Sequence, residues 1–110
     1  MNELSEKLRQ MSTSGRPIYF YNKDVKPPKP EKFGEVIDEV SQFWFNPSNG
    51  DAYKHFIQKI DKGEDCIGFR FCYYTLDSGK TKVVFGQYAS QMDESEFKEF
   101  ITKAKEKGFY

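Results

Sequence analysis

Ile67-Gly-Phe-Arg-Phe-Cys-Tyr-Tyr-Thr-Leu76, followed by Asp77-Ser78-Gly79 and then by Lys80-Thr-Lys-Val-Val-Phe-Gly-Gln-Tyr88, decides the reading of this chain. Aromatic and β-branched residues crowd both arms, and a turn-forming triplet separates them. That pattern predicts a β-hairpin. A type I turn with Gly79 in the left-handed region would make it a bulged hairpin. This geometry pairs Leu76 with Lys80 and sets Thr75 opposite Thr81, Tyr73 opposite Val83, Phe71 opposite Phe85 and Phe69 opposite Gln87. Those residues form an apolar face that should lie against helices. The other face would then present Tyr74 with Lys82, Cys72 with Val84, Arg70 with Gly86 and Gly68 with Tyr88. A slip of one residue would exchange the two faces, so the reading rests on the turn.

Outward from the hairpin, the chain divides into short periodic stretches. Residues Asn2 to Ser12 place Leu4, Leu8 and Met11 on one helical stripe, with Gly15 as the expected C-cap. Pro17 to Tyr21 reads as a strand whose proline suits a first residue or an edge. The prolines of Lys26-Pro-Pro-Lys-Pro30 predict a stiff connector with one P-x-x-P spacing. Phe33, Val36, Ile37, Val40 and Trp44 fall at helical spacing and predict a helix, while 41–45 reads equally as a short strand. Asn46-Pro-Ser-Asn-Gly50 is a turn. Tyr53, Phe56, Ile57 and Ile60 then suggest a second helix ending at Gly63. The last element predicts a helix with Asp93 as N-cap, Glu96 as its reciprocal partner and Met92 stapled onto Phe97. Phe97, Phe100, Ile101 and Ala104 form its buried stripe, and Gly108 closes it.

These pieces predict a single α+β domain over residues 1–110. Its expected form is a small antiparallel sheet of three or four strands with helices packed mainly on one face. The core must be aromatic: the chain has 11 Phe, 7 Tyr and 1 Trp, and its leucines are only Leu4, Leu8 and Leu76. Acidic and basic residues number 17 each, giving a net charge of zero. A neutral chain lacks the overall positive field of a protein that tracks phosphates. Cys66 and Cys72 lie in one extended segment, where six residues span about 20 Å, so they cannot bridge. Free thiols, with no long apolar run, predict a cytoplasmic protein that does not enter a membrane.

Catalytic signals are weak. His55 would sit one helical turn after Asp51 and one before Lys59, an arrangement that ordinary solvated helices share. One His and two separated Cys do not make a zinc signature, so no metal or cofactor is expected. Glu94, Glu96 and Glu99 read as a solvated helix face. The function expected is therefore a non-catalytic adaptor, regulator or inhibitor acting by protein–protein contact. The binding residues expected are Arg70, Tyr74, Lys82 and Tyr88 on the outer hairpin face, because Tyr and Arg favour contact hot spots. The alternative is a nucleic-acid accessory protein using the same aromatic and basic face for RNA or DNA.

Two stretches resemble different families. Tyr53-Lys-His-Phe-Ile-Gln-Lys-Ile60, Gly68-Phe-Arg-Phe71 and Lys82-Val-Val-Phe85 together resemble part of the actin-depolymerising and coactosin-like family. That resemblance implies actin binding, but only 22 residues follow Tyr88, too few for that family's later strand and long helix. Leu8-Arg-Gln-Met-Ser-Thr-Ser-Gly-Arg-Pro-Ile-Tyr-Phe20 resembles the start of the small Alu-domain proteins of the signal recognition particle, which implies RNA binding. The two point to different partners, and no family assignment follows from them.

Overall fold

The computed structural model describes residues 1–22, 24, 26–27, 29–86 and 94–110. It is a mixed α+β structure: a curled five-strand antiparallel sheet with two helices. In chain order the elements are α1 (Glu3–Gln10), β1 (Pro17–Asn22), β2 (Lys29–Phe45), β3 (Ala52–Asp61), β4 (Ile67–Leu76), β5 (Val84–Gly86) and α2 (Glu94–Glu106). Each strand pairs with its sequence neighbour, so the sheet order is β1-β2-β3-β4-β5. Among the described residues, no helix is long and apolar enough to cross a membrane.

Both helices expected between residues 31 and 62 are strands instead. The helical spacing of Phe33, Val36, Ile37, Val40 and Trp44 arises from two bulges in β2. Phe33 is skipped where Gly34 pairs with Ile18 and Lys32 with Tyr19. Ile37 is skipped where Val36 pairs with Ile60 and Asp38 with Lys59. Each inserted residue shifts the alternation by one and breaks the period of two that marks a strand. β3 misleads for another reason. It is covered on both faces, so Lys54 to Gln58 are buried without interruption. A doubly covered strand loses its alternating signature.

The helices lie on opposite faces of the sheet, not mainly on one. Leu8 of α1 packs with Ala52 and Leu76. Phe100 and Ala104 of α2 pack with Val40 and Ile57. Ala52 and Ile57 are an odd number of positions apart on β3, so they point to opposite sides. A third cluster, Ile18, Val36 and Ile60, closes the β1 end of the α1 face. Gly34 permits that closure: a Cβ there would stand 2.7 Å from the Asp61 carbonyl oxygen and 2.8 Å from Ile60 Cγ2.

The helix ends match their expected chemistry only in part. Asn2 caps α1, its Oδ1 accepting from Ser5 N at 2.8 Å. The C-cap is Met11, not Gly15. Gly15 instead takes φ +85° in the turn before β1, where its N–H donates to the Val36 carbonyl at 2.7 Å. Gly108 (φ +76°) closes α2, and Phe109 N–H returns to the Ala104 carbonyl at 2.9 Å. Phe109 then packs its ring 5.4 Å from that of Phe69. The expected Asp93 cap and Met92 staple lie outside the described residues.

Candidate functional site

The hairpin exists, but its register differs from the expected one by three residues. Tyr73 pairs with Gly86, Tyr74 with Phe85 and Thr75 with Val84. A shift by an odd number exchanges the faces. Gly79 has the expected left-handed conformation (φ +78°), and Lys80 N–H bonds the Asp77 carbonyl at 3.0 Å. That turn does not close the ladder, because Ser78 N–H is held by Asp51 Oδ1 at 2.7 Å, from the β2–β3 connection. Packing sets the register instead. The Tyr73 ring covers Gly86 so closely that a Cβ there would fall 2.1 Å from Tyr73 Cζ.

The expected binding residues are therefore not one exposed row. Tyr74 is half-buried on the α1 face, edge-on to Phe56 at 5.7 Å and against Phe85 at 5.1 Å. Burial raises its hydroxyl pKa, against the opposing pull of Arg16 and Arg70. Arg70 donates from Nε to Gln58 Oε1 at 2.8 Å and stacks over the Phe85 ring at 5.2 Å. Lys82 is exposed ahead of β5 and pairs with no β4 residue. Tyr88 lies outside the described residues.

Arg70 belongs to a polar network beneath the exit of α1. Gln58 is fully buried and donates onward to Thr13 Oγ1 at 2.8 Å. Thr13 N–H and Oγ1 both reach Glu39 Oε1, at 2.5 and 3.0 Å. Ser12 Oγ and Ser14 N–H reach the same oxygen at 2.9 and 2.7 Å. Burial alone would raise the Glu39 pKa, but these donors from Thr13, Ser12 and Ser14 outweigh it and the pKa falls below the usual carboxylate value. Beside them, Lys54 Nζ donates to the Arg9 and Met11 carbonyls at 2.5 and 2.6 Å, neutralising the carbonyl end of α1. Sequence reasoning missed this network entirely, since its members are ordinary polar residues spread over four segments.

His55 also stands corrected. It is a β3 residue with 5% exposure, set between Gln42 and Tyr73 on the α2 face, its ring 6.2 Å from that of Tyr73. Asp51 and Lys59 are not its partners in a strand, and its Nδ1 is buried without a hydrogen bond. Desolvation lowers its pKa below 6.5. The unfolded chain then takes up a proton first as pH falls, so stability drops below pH 6.5 and levels off beneath the folded pKa. Urea midpoints measured from pH 7.5 to 5 should show this loss, and His55→Gln should flatten it. An unchanged slope in the variant would assign the pH dependence elsewhere.

Cys66 is exposed in the β3–β4 turn and Cys72 is buried; both are free. Burial pushes the Cys72 thiol up to about 11, which leaves it without thiolate at neutral pH. A thiol reagent should therefore label Cys66 quickly and Cys72 only after denaturation. Fast labelling of Cys72 in the native protein would contradict its burial. Among the described residues no group of three or more His, Cys, Asp or Glu could hold a metal ion.

Exposed rings stand on both faces: Phe85, 42% exposed, beside Tyr74 on the α1 side, and two phenylalanines of β4 on the α2 side. Phe69 and Phe71 are neighbours on that side of β4, with 46% and 55% exposure. Glu99 and Lys103 turn α2 toward β2, reaching Gln42 at 3.3 and 2.7 Å. Helical spacing places Phe97 with Ile101 on the opposite flank of α2, and Phe97 is 53% exposed. Phe109 closes the strip at the Phe69 end. No protein family, curated protein or solved structure matches this chain. The surface must therefore be read from its own chemistry.

Proposed function

We propose that this is a non-catalytic binding protein that acts by contact with another protein, through the aromatic strip of Phe69, Phe71 and Phe97 beside α2. The observation that carries the reading is the exposure of Phe69 and Phe71 on the α2 face of β4 and of Phe97 on α2. Large apolar side chains grouped in this way mark contact surfaces. The occupant that fits is an apolar protein surface, because what the strip exposes is chiefly aromatic rings. The nucleic-acid alternative draws less support. Arg70 is committed to Gln58 and Phe85 on the other face, and the chain has no net positive charge.

A Phe69→Ser/Phe71→Ser double variant tests this. It should keep the far-ultraviolet circular dichroism of the parent, yet lose the protein that co-purifies with the parent from its source cell. Truncating such anchors typically costs about 2 kcal/mol or more in binding. Retention of the same partner by the folded variant would move the site elsewhere. Recovery of RNA alone, with affinity falling steeply as salt rises, would favour the alternative.

A further inference from the structure

β1 covers only the first part of β2. Their pairing ends where Pro17 meets Glu35, and from Asp38 onward β2 pairs with β3 alone. Backbone groups of a strand alternate between its two sides. Asn46 N–H donates across the β2–β3 connection to the Asp51 carbonyl at 2.8 Å, so even-numbered residues turn toward β3 and odd-numbered ones outward. Two contacts agree: Glu39 N–H is held by Asp38 Oδ1 at 2.8 Å, and the Ser41 carbonyl by Lys103 Nζ at 3.3 Å. Among the described residues no strand or side chain meets Ser41 N–H, or the N–H and C=O of Phe43 and Phe45. Ser41-Gln-Phe-Trp-Phe45 has neither a charge nor a proline, the residues that blunt an open edge. A groove of about 380 Å³ lies beside the start of this edge, between Glu39, Val40 and Ser41 and the flank of α2 at Lys103, Glu106 and Lys107. Further along the same face as Val40, Trp44 stacks on Tyr53 at 5.3 Å and stays 37% exposed.

We propose that the open edge of β2 pairs with the same edge of a second copy of this chain, antiparallel about a two-fold axis at Gln42. Gln42 then faces its own counterpart, and Ser41 faces Phe43 of the copy. Those two exchange N–H and C=O bonds, and the Glu39 carbonyl accepts from Phe45 N–H of the copy. The same register sets Trp44 of the copy opposite Val40, where the groove lies. Its ring enters the groove beside the stems and ammonium groups of Lys103 and Lys107. An axis at Ser41 or Phe43 would instead set that ring opposite Asp38 or Gln42. Each copy therefore supplies both the projecting ring and its receptacle, as an isologous interface requires. A copy is the occupant because the edge stretch is uncharged and the chain has zero net charge, so two copies meet without repulsion. Lys103 gives up the Ser41 carbonyl but keeps Gln42 Oε1, at 2.7 Å. The aromatic strip of Phe69 and Phe71 is on β4 and takes no part.

Sedimentation of the full chain from micromolar to millimolar concentration should show the mass rise from 12.9 kDa toward twice that value. Trp44 is the chain's only tryptophan, so its fluorescence reads the groove directly. Emission should move to shorter wavelength, and quenching by acrylamide should fall, as the dimer forms. Trp44→Ala should weaken the dimer about ten-fold or more. Ser41→Pro removes a donor that points outward and leaves the β2–β3 ladder intact. It should keep the circular dichroism of the parent and stay monomeric. Should that chain fail to fold, Ser41→Lys blunts the same edge by charge and should stay monomeric in its place. Phe69→Ser/Phe71→Ser should dimerise as the parent does. A parent that is monomeric throughout, a dimer that survives the folded edge variant or leaves the tryptophan emission unchanged, or a dimer lost in Phe69→Ser/Phe71→Ser would overturn the proposal.

Discussion

Glu39→Ala should lower the stability of the protein by about 3 kcal/mol, read as a fall in the urea midpoint. One carboxylate oxygen accepts from Ser12, Thr13 and Ser14 together. Removing it leaves the backbone N–H of Thr13 without an acceptor and Ser14 N–H with only Ser12 Oγ at 3.3 Å, and Thr13 is itself fully buried. The cost of orphaned donors exceeds the net value of the bonds themselves. The same group sets an acid limit. Its folded pKa is lowered, so its contribution is full above the unfolded value of 4.5 and is lost as pH falls through the folded value. The alanine variant should therefore lose less stability than the parent on acidification below pH 4.5. A variant that melts with the parent at every pH would show that the Ser12–Ser14 segment is held by something else.

Gly86→Val should cost about 3 kcal/mol, at the upper end of what overpacking does. Its Cβ would lie 2.1 and 2.4 Å from two atoms of the Tyr73 ring. The ring would have to swing off β5 and away from His55. Adding Tyr73→Ser should recover much of the loss, because the two changes remove each other's clash. The cycle also decides the register. The pairing read from the turn sets Arg70, not Tyr73, opposite Gly86. Additive effects of the Tyr73 and Gly86 changes would support the pairing that the turn predicts over the observed one.

Local signals were legible where one rule acted alone. The strand from Pro17, Gly79 at positive φ and Gly108 ending α2 each follow from the chemistry of one or two residues. The middle of the chain was not legible, because two rules competed there. Two bulges in β2 mimic a helical period, and burial of β3 on both sides erases the strand period. Asp77–Gly79 forms the turn its residues predict but does not close the hairpin ladder. What decided the register was a tyrosine ring over a glycine, thirteen positions away along the chain. Tyr74 is covered because α1 packs on its face, whereas the expected fold puts the helices on the Phe69 and Phe71 side. The Glu39 network carried no sequence signal, since serine, threonine and glutamine look alike in a loop and in a buried network.

The neighbour-by-neighbour strand order has a consequence for how the chain acquires its shape. Every strand pairing closes only a short loop, so the sheet can zip from one hairpin to the next at small entropic cost. The helices cannot join in this way. α2 must meet β2 across a long separation, as in the contact of Lys103 with Ser41, 62 positions apart. The sheet is then the early nucleus and α2 docking the late step. Substitutions at Phe100 should speed unfolding and barely slow refolding, whereas substitutions at Ile57 or Phe56 should slow refolding.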